Sequence, residues 1–533
     1  MKTKRKVLIY FAIGIFTLIY ISFRISYYPF ESDELQHLHV VYGWTQNLLQ
    51  YKDVFDNHVP LFHILMAKLI EILQIKPSQN FVIYVRFIVF FLFFLPQLII
   101  IYLLLKKGFK FSYLEIFWII CILTVIIPNS DIATRPAPLY TFLFLLAIYI
   151  ISFFDLKKRK VAFFLGLVNG VNAMVSLKTV ILFVPPQLIT LFIIRKFYNE
   201  KINLLSFFFY FLLGFSIFPL FISIYFVKLH DFNDMFYYTV KYNLLPIKNN
   251  YLKRGLIFIS IMAIYSYTIW KYKKTFRQTT FSFFSITLLS LAFLIIYPER
   301  QSQTTMPIRL LVYLWLLIIL VYFFKKIRKE NVKLLQISMF FILFMYKSLH
   351  PNLFIDHNEQ YKKSLALLLS LAGKNDYVMD AKGESIFWKR PYYYGLEEFT
   401  SMRLKKGLLK DKIVPELVKH NTHLIFLFDG GARFPRKDLT FIKNNYLPAD
   451  KWVLIAGKKI NKKFKVTIPG NYIIINQNGK KVKGILNGNS YVGNKVFLSS
   501  GFYEFVPKLK EKSVYIYWYK AYKKGVLPNG ISK

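Results

Sequence analysis

The residues best suited to chemistry lie close together. One stretch reads Phe30-Glu31-Ser32-Asp33-Glu34-Leu35-Gln36-His37-Leu38-His39, and a second reads Tyr51-Lys52-Asp53-Val54-Phe55-Asp56-Asn57-His58-Val59-Pro60-Leu61. Asp33, Glu34, His37, Asp56 and His58 supply carboxylates and imidazoles, the groups that accept protons in general base catalysis. Asp33, His37, Asp56 and His58 also suit a divalent metal such as Zn or Mn, although their spacing names no particular ion. The bland reading is helix capping plus a solvated polar face, and it accounts for Glu31 and Asp53. It does not account for an acidic pair at Asp33-Glu34 directly after an apolar segment. Carboxylates at a membrane edge are costly and mark function by default.

These groups need a mount. Ser32 is placed to N-cap a helix running to about Leu49, on which Asp33 and His37, four apart, share a face. Pro60 opens a second amphipathic helix reaching about Leu73. Two half-buried helices of this kind would bring Asp33, Glu34, His37, Asp56 and His58 toward one cleft.

The rest of the chain says where that cleft lies. Of its 533 residues 55% are hydrophobic and 19% aromatic, too apolar for a soluble protein of this size. The formal net charge is +43, but Lys and Arg sit in short clusters between apolar runs. That pattern is a topology signal and argues against a nucleic-acid partner. The single cysteine, Cys121, lies in an apolar block, which excludes an intrachain disulfide or a cysteine-based metal site.

A membrane span takes about 20 mostly apolar residues, and about eleven such segments can be read here. They fall near 7–28, 81–105, 111–128, 138–154, 161–176, 179–195, 203–227, 255–271, 279–297, 307–324 and 333–348. The pair 161–176 and 179–195 is short and meets at Ser176–Lys178, which also suits a broken or re-entrant helix. Lys2–Lys6 precedes the first run with no small-residue cleavage site after it, so that run reads as a retained span. The basic clusters at Lys2–Lys6, Lys106–Lys110, Lys157–Lys160, Arg195–Lys201, Lys271–Arg277 and Lys325–Lys329 then all fall on one side, the cytoplasmic one. Lys241, Lys248, Lys253 and Arg254 in the outside loop 228–254 are a mild exception.

The expected fold is therefore a mostly α polytopic membrane protein with a C-terminal soluble region, α/β and then β-rich. Its domains would be a membrane domain over 1–348 with a first outer loop at 29–80, an α/β module over 349–462, and a β-rich module over 463–533. Tyr377–Met379, His423–Phe428 and Trp452–Ile455 read as strands of the α/β module. Val466–Ile468, Tyr472–Ile475, Val496–Leu498 and Val514–Trp518 read as strands of the last one, with Asn478-Gly479 and Asn487-Gly488 as turns.

The Asp33-Glu34-x-x-His37 start, the Asp53-x-Phe55-Asp56-x-His58-x-Pro60-Leu61 continuation and their place after the first span resemble the GT-C superfamily of membrane glycosyltransferases. The nearest likeness is to bacterial relatives of protein O-mannosyltransferases and of the lipid A aminoarabinose transferase. Thr134-Arg135-Pro136, Ser176-Leu177-Lys178-Thr179 and the loop from Tyr297-Pro298-Glu299-Arg300 to Met306-Pro307 fit the same pattern. The likeness covers about residues 7–348, and the C-terminal region adds nothing to it.

The resemblance implies transfer of a sugar from a polyprenyl-phosphate donor to an extracytoplasmic acceptor, within membrane lipid. Asp33 would be the base, and Glu34 would orient the acceptor or a neighbouring cation. Asp56 and His58 would complete the cleft, with His37 lining it. Arg135, Lys178 and Arg300, expected at the outer interface, would hold the phosphate that gains charge as its bond breaks. A divalent metal would be an addition to this scheme, not a requirement of it. The rival reading is a transporter or lipid-linked glycan flippase. Such proteins place polar residues near the midplane and carry internal repeats, whereas this chain has no visible repeat. A non-catalytic envelope scaffold is the third reading, and the Asp33–His58 cluster speaks against it. Tyr392–Tyr394 and the many lysines of the C-terminal region could meet an anionic glycan.

Overall fold

The computed structural model describes residues 2–198, 202–244, 251–272, 277–297, 302–325, 329–349, 352–428 and 430–529. Arg300 and Lys248 lie outside them, as do parts of three basic clusters, at 199–201, 273–276 and 326–328. The chain divides into two compact units. The first holds residues 1–29, 57–66 and 83–357; the second holds 30–56, 67–82 and 358–533.

The helices up to the second unit's main segment are α1 (Lys2–Tyr27), α2 (Ser32–Thr45), α3 (Leu61–Ile72), α4 (Phe81–Val89), α5 (Leu95–Gly108), α6 (Tyr113–Ile126), α7 (Pro136–Phe153), α8 (Arg159–Val175), α9 (Lys178–Phe197), α10 (Leu204–Lys228), α11 (Phe232–Thr239), α12 (Tyr251–Tyr272), α13 (Gln278–Ile296), α14 (Ser302–Phe324) and α15 (Lys329–Leu349). A π turn at Phe90–Phe94 joins α4 to α5. It shifts the hydrogen-bond ladder just before Pro96, which has no N–H to give.

Among the described residues, seven helices are long and apolar enough to cross a membrane: Tyr10–Tyr27, Phe81–Gly108, Pro136–Phe153, Lys178–Phe197, Leu204–Lys228, Gln278–Ile296 and Thr304–Phe324. They make the chain an integral membrane protein. The other segments expected to span are helical too, as α6, α8, α12 and α15, but are shorter or more polar. The weakest expected pair resolves into two helices, α8 and α9, separated at Ser176 and Leu177.

Two features hold the helical unit together. Helices α8 and α10 touch backbone to backbone through glycines. A Cβ at Gly166 would lie 2.0 Å from the Phe211 carbonyl oxygen, at Gly170 2.2 Å from that of Phe215, and at Gly214 2.1 Å from that of Phe163. Small residues are what permit such approach where lipid gives no hydrophobic drive. The second feature is a pair of arginines, each 1% exposed. Arg24 donates to the Thr124 and Ile127 carbonyls at the end of α6, 2.9 Å each. Arg86 donates to Ile25, Tyr28 and Pro29 at the end of α1, at 3.2, 2.9 and 3.2 Å. Both supply the donors that helix C-termini lack, and their charge complements the helix dipole.

The second unit adds helices α16 (Glu359–Leu371), α17 (Glu398–Lys405), α18 (Ile413–Lys419), α19 (Arg436–Asn445) and α20 (Tyr519–Lys523). Its strands are β1 (Val378–Met379), β2 (Leu424–Phe426), β3 (Tyr446–Pro448), β4 (Val453–Ile460), β5 (Lys463–Val466), β6 (Gly470–Asn476), β7 (Gly484–Leu486), β8 (Asn489–Tyr491), β9 (Val496–Leu498), β10 (Gly501–Pro507) and β11 (Val514–Trp518). One sheet runs β1-β2-β4-β11-β6-β9, with β3 also on β4; the other runs β5-β10-β7-β8. The first sheet thus draws strands from both sides of residue 462. β1 and β2 are parallel, with α17 and α18 in the crossover between them. Asn487-Gly488 is the turn expected: both residues have positive φ, 46° and 82°, and join β7 to β8.

Candidate active site

Helix α2 belongs to the second unit, and its first turn carries the acidic pair. The cap differs from expectation. Glu31, not Ser32, occupies the N-cap, with no side-chain capping bond, and α2 ends at Thr45 instead of near Leu49. Ser32 is otherwise engaged: its hydroxyl donates to Glu384 Oε1 at 2.7 Å. Sequence spacing could not have shown a partner 352 residues away. Asp53 does have the local role expected of it, accepting from the Leu49 N–H at 2.9 Å.

Burial sorts the cluster. Glu34 and His37 are buried, at 0% and 1%, whereas the Asp33 side chain is 45% exposed. One carboxylate of the pair is therefore offered to solvent and the other is enclosed. Asp56 is buried as well and accepts from Gln50 Nε2 at 2.8 Å. His58 falls in the helical unit and is half-buried. Among the described residues, no group of three or more His, Cys, Asp or Glu side chains converges as a metal cradle, so Asp33, His37, Asp56 and His58 do not form one.

Asp33 has a partner that the sequence did not advertise. Lys382 Nζ donates to Asp33 Oδ1, and the lysine side chain is 2% exposed. Lys382 belongs to the turn Asp380-Ala381-Lys382-Gly383-Glu384-Ser385, which leaves the carboxyl end of parallel strand β1. Open α/β sheets place functional loops at such strand ends. The turn is built round the buried Asp380 carboxylate. It accepts from Gly383 N (2.6 Å), Ser385 N (2.8 Å), Ser385 Oγ (2.6 Å) and Arg390 Nε (2.8 Å). Arg390 returns to the Asp380 and Ala381 carbonyls at 3.0 and 2.9 Å. Glu384 accepts from the Lys382 N–H at 2.7 Å, and Tyr361 Oη donates to the Glu384 carbonyl at 2.8 Å. Burial, with Asp380 nearby, holds the Glu384 carboxyl above the usual carboxylate range.

The turn also sits against the middle of α2. Gly383 has φ +105°, and a Cβ there would lie 2.7 Å from the His39 ring. His39 Nδ1 donates to the Ile386 carbonyl at 2.9 Å. Burial lowers the pKa of His39, which favours the neutral ring with its proton on Nδ1. Ile386 has φ +63°, a strained setting for a β-branched residue.

In the Tyr392–Tyr394 run the first ring is enclosed and the other two are half-buried. Tyr392 is buried, Tyr393 donates its hydroxyl to the Tyr51 carbonyl, and the rings of Tyr393 and Tyr394 pack on Phe55 at 5.7 and 5.5 Å.

The expected cations lie in the helical unit. Arg135 is buried at the N-cap of α7, and Lys178 is the first residue of α9, where the helix end carries the same sign of charge. Arg300 lies outside the described residues. Sequence reasoning passed over Arg309 on α14, which pairs with Asp131 at 3.3 Å. Asp131, Arg135 and Arg309 all lie within electrostatic reach of Tyr140. The signal missed was a cation eight residues inside α14, within a run read only for its apolarity.

In sequence, no family model and no curated protein matches this chain. In structure, it is similar to ArnT from Cupriavidus metallidurans in the apo state, with TM-score 0.57 and 8% identity over 86% of this chain and 98% of that one. The same ArnT bound to undecaprenyl phosphate gives TM-score 0.55 and 8% identity over the same shares. The archaeal oligosaccharyltransferase AglB from Archaeoglobus fulgidus, in complex with an inhibitory peptide and a dolichol-phosphate, gives TM-score 0.45 and 10% identity over 93% and 74%. The ArnT likeness shows that this chain shares the fold of ArnT.

Proposed function

We propose that this chain is a membrane glycosyltransferase that moves a sugar, hexosyl or pentosyl, from a polyprenyl-phosphate donor to an extracytoplasmic acceptor. The acceptor is a protein, a lipid or a polysaccharide. The observation that carries the reading is Asp33: a half-exposed carboxylate on the first turn after the first helix, fixed by a buried lysine, in a chain with the fold of ArnT. An ArnT structure bound to undecaprenyl phosphate supports the donor class. In the same reading the helices number about eleven spans, the basic clusters are cytoplasmic, and residues 29–80 and those after about 349 lie outside the bacterial inner membrane.

Asp33 takes the proton from the acceptor hydroxyl as its oxygen attacks the anomeric carbon. The bond from that carbon to the phosphate oxygen breaks, its electron pair leaves on the polyprenyl phosphate, and the sugar inverts. A phosphate leaves without being protonated, so one carboxylate suffices where glycosidases use two. Glu34, His37, Asp56 and His58 are assigned to shaping the acceptor side. Arg135, Lys178, Arg300 and, in addition, Arg309 are assigned to the phosphate, whose growing charge they stabilise. No step uses a metal.

The test compares wild type with Asp33→Asn at equal membrane levels, following labelled sugar from polyprenyl-phosphate donors into envelope fractions. Loss of a general base is expected to lower transfer by about 100-fold to 10,000-fold. Equal transfer by both chains would remove Asp33 from the mechanism. Labelled lipid that crosses the membrane with no transfer by either chain would favour the flippase reading.

A further inference from the structure

We infer that Lys382 is a positioning residue for Asp33, and that the turn 380–385 of the C-terminal sheet unit is the mount that presents it. The inference rests on the reading of Asp33 as the base and adds a residue some 350 positions away in sequence.

Three observations carry it. The first is asymmetry: Lys382 is 2% exposed and Asp33 45%. A purely structural buried pair encloses both partners, and an exposed pair contributes little to stability. Here a buried ammonium points outward at a carboxylate that keeps an open side. A lysine so enclosed is costly unless paired, so the geometry ties its side chain to Asp33.

The second is the rigidity of the mount. Asp380 accepts four hydrogen bonds from within the segment 383–390, and Arg390 closes it on two carbonyls. Glu384 joins the Lys382 N–H to the Ser32 hydroxyl, next to Asp33 itself. Few degrees of freedom remain between strand β1 and the lysine's backbone, the kind of support that fixes a reacting group.

The third is how the turn seats on α2. It touches the helix on its first turn, through Ser32 and Asp33, and again at mid-helix, through His39. Ile386 has φ +63° at that seat, strained for a β-branched residue. Strain of this kind persists only where the surroundings enforce it. A loop needed only to end strand β1 would not require it.

The chemical consequence is orientation. The bond to Lys382 restrains rotation of the Asp33 carboxylate while its exposed side stays open to the acceptor hydroxyl.

The test uses the full chain in proteoliposomes with a labelled polyprenyl-phosphate sugar, at matched protein levels and with thermal unfolding as a folding check. Lys382→Met is expected to lower turnover about 100-fold, the scale of a reacting group displaced by an ångström, while donor KM stays within about twofold. Lys382→Arg restores most of the turnover, because the charge and a donor return. In the Asp33→Asn chain, Lys382→Met costs no further residual transfer, since the group it positions is gone. Lys382→Gln, which keeps a donor without the charge, answers the same question if the methionine variant does not accumulate. Wild-type turnover in the neutral variants would overturn the inference. So would a loss confined to KM, or a further fall in the Asp33→Asn background. Wild-type transfer by Asp33→Asn alone is a separate result: it removes the base, and the role of Lys382 with it.

Discussion

Two buried arginines of the helical unit and two buried cations of the sheet unit are matched in different ways. In the helical unit, Arg24 and Arg86 spend their guanidinium donors on main-chain carbonyls at the ends of α6 and α1. In the sheet unit, Arg390 and Lys382 meet carboxylates, Asp380 and Asp33. A carbonyl cannot titrate or attack, so the first arrangement can only fix geometry. At Arg86 it fixes the end of α1, whose last residue, Tyr27, lies six positions before Asp33. A carboxylate held by a cation can meet a substrate only when it has an open side, as Asp33 does and Asp380 does not. Similar buried charge thus serves as a clamp in one unit. In the sheet unit it serves as a clamp at Asp380 and a reactive edge at Asp33.

The comparison can be broken from either side. The largest effect is expected at Asp380→Asn. Removing one partner of a buried pair costs about 3–5 kcal/mol, because Arg390 is left uncompensated. Hydrogen exchange should then rise across 377–396, and transfer should fall with it because Lys382 loses its mount. Undisturbed protection there would mean that Asp380 does not organise the turn. Arg86→Met should cost less, about 1–3 kcal/mol for the buried carbonyls it leaves unmatched. Its signature is faster exchange near residues 25–29 with protection at 377–396 unchanged. An effect of equal size in both segments would erase the distinction between the two kinds of clamp.

The sequence carried the helices and the acidic pair well, for identifiable reasons. Long apolar runs must satisfy their backbone internally in lipid, so each expected span is a helix. Asn487-Gly488 announced a hairpin because few other pairs accept two positive φ angles. Ser32 misled because its type suits capping, while its actual partner, Glu384, lies far along the chain. Lys382 stayed invisible for the same reason. It is one of many lysines in a basic C-terminal region, and only the crossover from β1 to β2 puts it against α2. Strands β3, β7 and β8 were missed because three-residue strands, such as Gly484–Leu486, carry little period-two signal, and the longer β10 was missed as well. Local chemistry was therefore legible where neighbours in sequence are neighbours in space, and the second half of the candidate site was not.

The smallest effect separates the units by pH. The sheet unit contains an acid pair, Asp438 with Asp411, whose proton binding depends on pH. Burial, and then the adjacent Asp411 carboxylate, push Asp438 up to about 7 from its ordinary 3.8, against the opposing charge of Lys437. The folded state therefore binds a proton between about pH 4 and pH 7 that the unfolded chain has already released. The stability contributed by this group is fully present below the unfolded value and is lost as pH rises through about 7. Melting of wild type and Asp438→Asn should accordingly be compared from pH 5 to pH 8. The asparagine cannot ionise, so the wild type should lose stability relative to it as pH rises. A difference that stays constant over that range would mean that Asp438 titrates as an ordinary surface carboxylate. The sheet unit would then owe its pH response to other groups, such as His423, whose burial lowers it to about 4 and gives the opposite slope.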